Sequence, residues 1–283
     1  MSTTPTAVPT ASVPRRGFVA AVIDAWVMFG RNLRRYQRQP QIAVFVLIQP
    51  IMFVLLFRYV FGGSIPTPGL DYVQYLMPGI IVQSVTFSTI GTAIGIAEDL
   101  KGGMLDRFRS LPMSRSAVLS GRILADVLVS VVSLIVMLAV AYLVGFRITT
   151  GPLQALGALL LIVAFSLAFA WIAAYIGLAL KEPEAVQGAG FVWMFPLAFA
   201  SSVFVLPATM PGWLQGFATH NPLSRLANAA RSLTIGGYPC GPSLEQTTLC
   251  TGVADQALLV LAWTATIAVV FLPLAARMWK RLD

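Results

Sequence analysis

The chain has 283 residues, of which 57% are hydrophobic and only 11% are charged, and its formal net charge is +8. A soluble domain carries about 25% charged residues, so this composition excludes an ordinary water-facing globule and indicates an integral membrane protein. The basic residues are distributed over alternate loops and form no single face, which argues against nucleic-acid binding.

The first 16 residues are rich in Ser, Thr and Pro and lack the apolar run of a signal peptide. We interpret residues 1–16 as a disordered cytoplasmic tail and residues 17–283 as one transmembrane domain.

Residues 18–38 predict an amphipathic helix. Apolar side chains recur every three or four positions along one stripe: Val19, Val22, Trp26, Phe29, Leu33 and Tyr36. Arg31 and Arg35 lie on other faces. A basic helix with aromatic residues on its apolar side is typical of the membrane interface. The alternative is a helix packed on a soluble core, but the hydrophobic composition argues against a soluble core in this chain.

Six segments are near the roughly 20 residues that a bilayer requires. They are 42–61, 73–97, 117–144, 153–180, 185–206 and 257–276. Fifteen of the 19 Lys and Arg residues fall on one side of this arrangement and three on the other, which predicts that both termini are cytoplasmic. Arg122 and Asp126 are four residues apart and are expected to pair at the inner interface. The fold class is therefore an all-α plasma-membrane protein with six spans.

The longest polar stretch between two spans is 98–122. Met104, Leu105, Phe108 and Leu111 recur there at helical spacing, after two glycines and before Pro112. A short amphipathic helix at this place would give a soluble partner a surface to push on. An ordinary solvated loop whose charges fix the topology fits the same residues.

The outer segment 207–256 contains both cysteines, Cys240 and Cys250. An oxidising compartment would permit a disulfide worth roughly 2–3 kcal/mol, and two free thiols are the alternative. The motif Asn221-Pro222-Leu223-Ser224 precedes an apolar periodic run at 226–233 and predicts a capped helix. This helix can re-enter the membrane or rest on its surface.

Signals for catalysis are absent from the sequence. It contains no G-x-x-x-x-G-K-[ST] phosphate loop and one histidine, so we expect neither ATP hydrolysis by this chain nor a metal site. Asp126 is the one acid inside a predicted span, and Arg122 can neutralise it, which gives a proton-driven carrier little support. Gly91 and Gly95 have the spacing of a close helix contact. Phe195 and Phe199 could contact an apolar substrate, lipid or neighbouring helices.

Three features resemble the membrane subunits of ABC-2 type exporters, most closely the daunorubicin-resistance permease family. The first is the inner-loop pattern Glu98-Asp99, Gly103-Met104-Leu105-Asp106-Arg107 and Leu111-Pro112-Met113-Ser114-Arg115. The second is Asn221-Pro222-Leu223-Ser224 followed by Ala229 and Arg231. The third is the order of elements: interfacial helix, five spans, outer helical segment and final span. Many members have a Val-Glu pair where this chain has Ala227-Asn228.

The resemblance implies a permease subunit that exports hydrophobic or amphipathic molecules such as a drug, an antibiotic or a lipid. Two permease copies, identical or related, would pair in the lipid bilayer, and separate ATP-binding cassette subunits would bind ATP and Mg beneath them. The coupling residues would then be Glu98, Met104, Leu105, Arg107, Phe108, Arg109, Leu111, Pro112 and Arg115. The interfacial helix would add Trp26, Phe29, Arg31 and Arg35, and the pathway would include Gly91, Gly95, Phe195 and Phe199. The alternatives are a proton-coupled secondary carrier, a non-transporting membrane scaffold and a membrane-embedded transferase.

Overall fold

The computed structural model describes residues 18–38, 40–62, 71–103, 115–236 and 252–281. Within these ranges the chain is helical and has no strand, as the sequence predicts. The α-helices there are α1 (Phe18–Arg38), α2 (Pro40–Leu55), α3 (Tyr72–Lys101), α4 (Arg115–Val144), α5 (Pro152–Leu180), α6 (Pro183–Phe199), α7 (Gly212–His220), α8 (Pro222–Ile235) and α9 (Val253–Arg281). A π-helical turn, Leu56–Val60, continues α2, and a 3-10 turn, Pro207–Thr209, precedes α7. The predicted tail, 1–16, lies outside the described residues.

Four segments are long and apolar enough to cross a membrane: Tyr72–Lys101, Leu119–Val144, Pro152–Leu180 and Val253–Trp279. They match four of the predicted spans. The predicted span 42–61 corresponds to α2 and its π-helical turn, in which Leu47–Val60 is a shorter apolar helix. The predicted span 185–206 is helical only as far as Phe199, because the chain from 200 to 206 forms turns.

The central element of the fold is α3. It packs against α2, α4, α5, α6 and α8, and 83% of its apolar window is buried, compared with 11% for α9. The buried hydroxyls of Ser84 and Thr86 are satisfied within the helix: Ser84 donates to the Ile80 carbonyl at 2.6 Å and Thr86 donates to the Val82 carbonyl at 2.8 Å. These bonds let polar side chains occupy an apolar interior without an unpaired donor.

Small residues allow α5 to approach the inner half of α3 closely. A β-carbon at Gly177 would lie 2.5 Å from the carbonyl oxygen of Ala93, so the two backbones are in direct contact at this crossing. Ala97 and Ala173 are buried in the same small cluster. The contact is of the small-residue kind that membrane helices use.

Loops that the sequence assigns to the outer side of the membrane meet at the N-terminal end of α3. The Thr149 backbone N–H donates to the Thr234 carbonyl at 3.0 Å, and the Tyr72 hydroxyl donates to the Phe204 carbonyl at 3.2 Å. At the opposite end, Lys101 pairs with Glu182 at 2.6 Å. We call these two ends outer and inner, after the predicted orientation.

The motif at Asn221 joins the end of α6 to the start of α8. The Asn221 side-chain N–H donates to the carbonyls of Leu197 and Ala200 at 2.7 and 3.0 Å, while its oxygen accepts from the Leu223 backbone N–H at 2.9 Å. One side chain thus caps two helices, which confirms the predicted cap. Ser224 adds a further bond, because its hydroxyl accepts from the Ser202 backbone N–H at 2.9 Å.

Arg231 of α8 is only 1% exposed and completes this connection. It donates to the Tyr75 carbonyl at 2.8 Å, to the Ser202 and Val203 carbonyls at 2.8 and 3.0 Å, and to the Asn228 side-chain oxygen at 2.8 Å. Its guanidinium carbon lies 3.7 Å from the centre of the Tyr75 ring, within cation–π range. We call Asn221, Ser224, Asn228 and Arg231 the outer clamp.

We expect Arg231→Met to lower the stability of the permease by about 2–4 kcal/mol, because it leaves several buried carbonyl groups without a donor. Thermal unfolding of the purified protein in detergent measures this loss. Arg231→Lys should be intermediate, since one ammonium cannot reach carbonyls on two elements in the guanidinium geometry.

Arg225→Met is the matched control, because Arg225 lies on the same helix and is partly exposed. Equal melting temperatures for Arg231→Met and Arg225→Met would contradict the role assigned to the outer clamp.

Candidate functional site

The predicted coupling residues lie at or beyond the inner ends of α3 and α4. Glu98 is exposed in the last turn of α3. Arg115 is the first residue of α4, although its side chain is not described. The remaining coupling residues, Met104, Leu105, Arg107, Phe108, Arg109, Leu111 and Pro112, lie outside the described residues. The role of this stretch therefore stays a prediction.

A buried polar cluster ties together the two helices that carry this stretch. Arg122 of α4 is 5% exposed and donates to Asp99 of α3 at 2.9 Å and to Asp126 at 3.3 Å. It also donates to the Gly95 carbonyl at 3.2 Å. The predicted pairing of Arg122 with Asp126 is confirmed, and Asp99 adds a link across the helices that spacing alone does not reveal. We call Arg122, Asp99 and Asp126 the inner cluster.

Gly95 makes room for the inner cluster. A β-carbon at this position would overlap the Arg122 guanidinium, so only glycine leaves the space that the arginine occupies. Gly91, one turn away, is exposed and has nothing near its missing β-carbon. The two glycines of the predicted pair thus have different surroundings, and their place in a transport pathway stays a prediction.

The inner cluster also reaches α1. Arg31 of α1 lies 3.8 Å from Asp99, and Asp24 and Asn32 of the same helix are buried against the protein. Close packing makes this possible: a β-carbon at Gly121 would lie 2.5 Å from the Ala25 carbonyl oxygen. The side chain of Arg35 is not described.

The opposite face of α1 is apolar and exposed. Trp26 is 70% exposed, and Val22, Ile23 and Val27 are also exposed, while Phe29 stacks on Trp26 at 5.1 Å between ring centres. This helix therefore buries Asp24 and Asn32 while it exposes several apolar side chains, which is unlike a helix on a soluble core.

Phe195 and Phe199 belong to a continuous series of phenylalanine rings. The ring centres of these two residues are 5.6 Å apart and their planes differ by 4°. Neighbouring ring centres along the series are 4.4–6.2 Å apart, within the range of favourable aromatic pairs. The members are Phe53, Phe57, Phe61, Phe87, Phe191, Phe195, Phe199 and Phe204. We call them the phenylalanine row.

The phenylalanine row crosses three elements and ends at exposed rings. It begins at Phe191 in the middle of α6 and reaches Phe61 after α2, near the outer side. Phe191, Phe199 and Phe61 are each more than one-third exposed, so the row presents an edge to its surroundings. The sequence predicts two of the three members on α6, Phe195 and Phe199, but not Phe53, Phe57 and Phe204, because these are distant in sequence. The predicted disulfide at Cys240 and Cys250 lies outside the described residues.

Comparison with known proteins identifies the family. A family model described as ABC-2 type transporter matches residues 24–235, from α1 to the end of α8. The daunorubicin resistance ABC transporter permease protein DrrB1 of Streptomyces coeruleorubidus is 35% identical over 88% of this chain and 83% of its own length.

Two more distant relatives extend the comparison. The probable doxorubicin resistance ABC transporter permease protein DrrC of Mycobacterium tuberculosis is 27% identical over 94% of this chain and 90% of its own length. The putative transport permease ycf38 of Cyanophora paradoxa is 24% identical over 74% of this chain and 73% of its own length. The resemblance seen in the motifs is therefore confirmed, and the chain belongs to the ABC-2 type transporter family.

Proposed function

We propose that this chain is the permease subunit of an ATP-driven exporter of hydrophobic or amphipathic molecules. The observation that carries the proposal is the similarity to a daunorubicin resistance permease over 88% of the chain. Drug resistance in the names of this relative and of the Mycobacterium tuberculosis relatives favours a drug or antibiotic, and a lipid is a further candidate. ATP and Mg bind to a separate ATP-binding cassette subunit, because this sequence carries no phosphate loop.

The proposed topology has six spans in the plasma membrane with both termini in the cytoplasm. The short helices α2 and α6 complete the set, the first with its π-helical turn and the second with the turns at 200–206. Non-helical backbone at membrane depth is tolerated where protein groups satisfy it, and the outer clamp supplies such groups to Ser202 and Val203. The distribution of Lys and Arg supports the orientation.

In the proposed arrangement α1 lies in the cytoplasmic membrane interface. Its exposed Trp26, Val22, Ile23 and Val27 then contact lipid, while Arg31 and the buried Asp24 face the protein. This placement explains why apolar side chains are exposed on a helix whose polar residues are buried.

The stretch 98–116 transmits the movement of the ATP-binding subunits in this mechanism. It leaves α3 after Lys101 and enters α4 at Arg115, and the inner cluster ties those two helices together a few residues away. A push on this stretch would therefore move α3 and α4 as one unit. A second permease copy, identical or related, would face the pathway that includes Gly91, Phe195 and Phe199.

A proton-coupled carrier is the second candidate, and the geometry favours it less. The buried acid that such a carrier would use, Asp126, lies 3.3 Å from Arg122 and is held in an ion pair. A non-transporting scaffold remains the third candidate and predicts no loss of function when pathway residues are changed.

Capture of the partner tests the proposed function directly. The permease is purified in mild detergent, and the ATPase activity of the eluate is measured with and without the membrane chain. We expect a soluble ATPase to co-purify and its turnover to depend on the permease. Purification of the chain alone, together with solute movement on a proton gradient in vesicles, would refute the exporter.

Replacing Arg107, Arg109 and Leu111 together by Gln, Gln and Ala should uncouple export from ATP hydrolysis while the permease remains inserted, because the changes remove the proposed contact surface. Drug accumulation in cells and ATPase turnover of the purified complex measure the coupling. The control replaces Arg15 and Arg16 by Gln, which removes the same charge from the tail and should leave export unchanged. Normal export by the triple variant would contradict the proposed coupling role of this stretch.

Arg122→Gln should destabilise the permease by about 3–5 kcal/mol, because it leaves buried Asp126 without its cationic partner. Arg122→Gln combined with Asp126→Asn should recover part of this loss, and a double-mutant cycle on melting temperature measures the coupling between them. Lys101→Gln is the control, since its pair with Glu182 is exposed and contributes less than about 1 kcal/mol. Additive losses in the cycle would contradict the inner cluster as a unit.

A further inference from the structure

One buried side chain of the described structure is unpaired at both ends of its amide. Gln83 of α3 is 2% exposed, and neither its Oε1 nor its Nε2 has a hydrogen-bond partner in the described part of the chain. The neighbouring hydroxyl groups on α3 bond to carbonyls of their own helix. The Gln83 side chain forms no such bond to a carbonyl of its own helix. Its amide therefore has one unsatisfied donor group and one unsatisfied acceptor, which water would satisfy at an exposed position.

The register of α3 places Gln83 beside the phenylalanine row. Gly79, Gln83 and Phe87 are spaced by four residues and share one face of the helix. Phe87 contacts Phe195 of α6 at 5.7 Å between ring centres, and a β-carbon at Gly79 would overlap the Val203 carbonyl oxygen. Gln83 therefore falls between the levels of Phe195 and Val203, on the face of α3 that packs against the end of α6.

The phenylalanine row offers flat surfaces at this level. Phe195 and Phe199 stack nearly parallel, Phe199 lies 5.1 Å from Phe204, and Phe53 meets Phe199 edge-on at 6.1 Å. The half-buried Phe87 and Phe195 lie deeper than the exposed ring of Phe199. An aromatic wall with one exposed edge and one unpaired amide behind it has the composition of a ligand site, which is mostly apolar with few polar groups.

We propose that Gln83 and the phenylalanine row bind a planar aromatic molecule that carries carbonyl or hydroxyl groups. The rings stack against the flat core of that molecule, and the Gln83 amide donates to its carbonyl or accepts from its hydroxyl when α3 and α6 separate. This assignment rests on the proposed export function and names the residues that contact its substrate. A saturated lipid chain would use neither the ring planes nor the amide.

Three other unpaired groups show why Gln83 is distinct. They are the Asn32 Nδ2 of α1, the Ser133 hydroxyl of α4 and the Trp193 Nε1 of α6, each buried without a partner in the described ranges. Each is a single group, whereas Gln83 offers a donor and an acceptor together. Trp193 stacks on Phe169 of α5, away from the phenylalanine row.

Binding of daunorubicin to the purified permease in lipid nanodiscs, without any ATPase, tests the site through the fluorescence of the probe. We expect saturable binding by the wild type, with Kd raised roughly 3–10-fold by Gln83→Leu, from loss of one hydrogen bond. Phe195→Leu should raise Kd by about 3–10-fold through loss of ring stacking. The controls are Ser133→Ala, which removes a buried unpaired group elsewhere, and Phe271→Leu, which removes a half-buried ring of α9 paired with Tyr175.

The outcomes separate this site from the exporter itself. Absence of saturable binding by the wild type, or equal Kd values for Gln83→Leu and Ser133→Ala, would overturn the site even if ATP-driven export is observed. Greater thermal stability of Gln83→Leu with unchanged Kd would identify Gln83 as a packing defect and would also overturn it. Loss of probe binding in Gln83→Leu and Phe195→Leu, but not in the controls, supports the site whether or not an ATPase co-purifies.

Discussion

The structure depends on satisfying backbone groups where helices stop inside an apolar environment. Helix α6 ends at Phe199, and the chain then turns among buried residues, which leaves carbonyls out of reach of water. The bonds from Arg231 to Ser202 and Val203, and from Asn221 to Leu197 and Ala200, supply the missing donors. Without these donors the segment at 200–206 would have to continue as helix or move to the protein surface. Both choices would move the end of the phenylalanine row that Phe204 forms.

The outer clamp also explains a departure from the family pattern. Asn228 stands where many members have glutamate, and its oxygen accepts from both Arg231 and the Ser202 hydroxyl, at 2.8 and 2.9 Å. A carboxylate would accept from the same donors, so the amide keeps the geometry and gives up a charge-assisted bond. The side chain at position 228 therefore contributes to the fold through its acceptor oxygen.

The sequence predicted what depends on local periodicity and missed what depends on tertiary contact. The apolar stripe containing Trp26, the four long spans and the Arg122–Asp126 pair follow from spacing along one helix. The end of α6 at Phe199 does not, because residues 200–206 are mostly apolar and their turns are held by bonds from α3 and α8. For the same reason, the spacing of Gly91 and Gly95 predicts a contact between helices, whereas Gly95 accommodates the Arg122 side chain. The phenylalanine row and the position of Gln83 depend on three helices at once, and no sequence window contains them.

Helix α3 connects these features because it contributes to every one of them. Asp99 of the inner cluster lies roughly 24 Å along the helix from Gln83, at about 1.5 Å per residue. Between them the hydroxyl bonds of Thr86 and Thr89 and the close contact of Ala93 with Gly177 hold the helix to α5 and to its own backbone. Beyond Gln83 the helix contains Pro78, which has no N–H to donate and so weakens the helix directly beneath the outer clamp. In the proposed mechanism, a displacement applied at the inner cluster would move α3 past the phenylalanine row and be absorbed at Pro78. The spacing of α3 and α6 would then change where Gln83 lies.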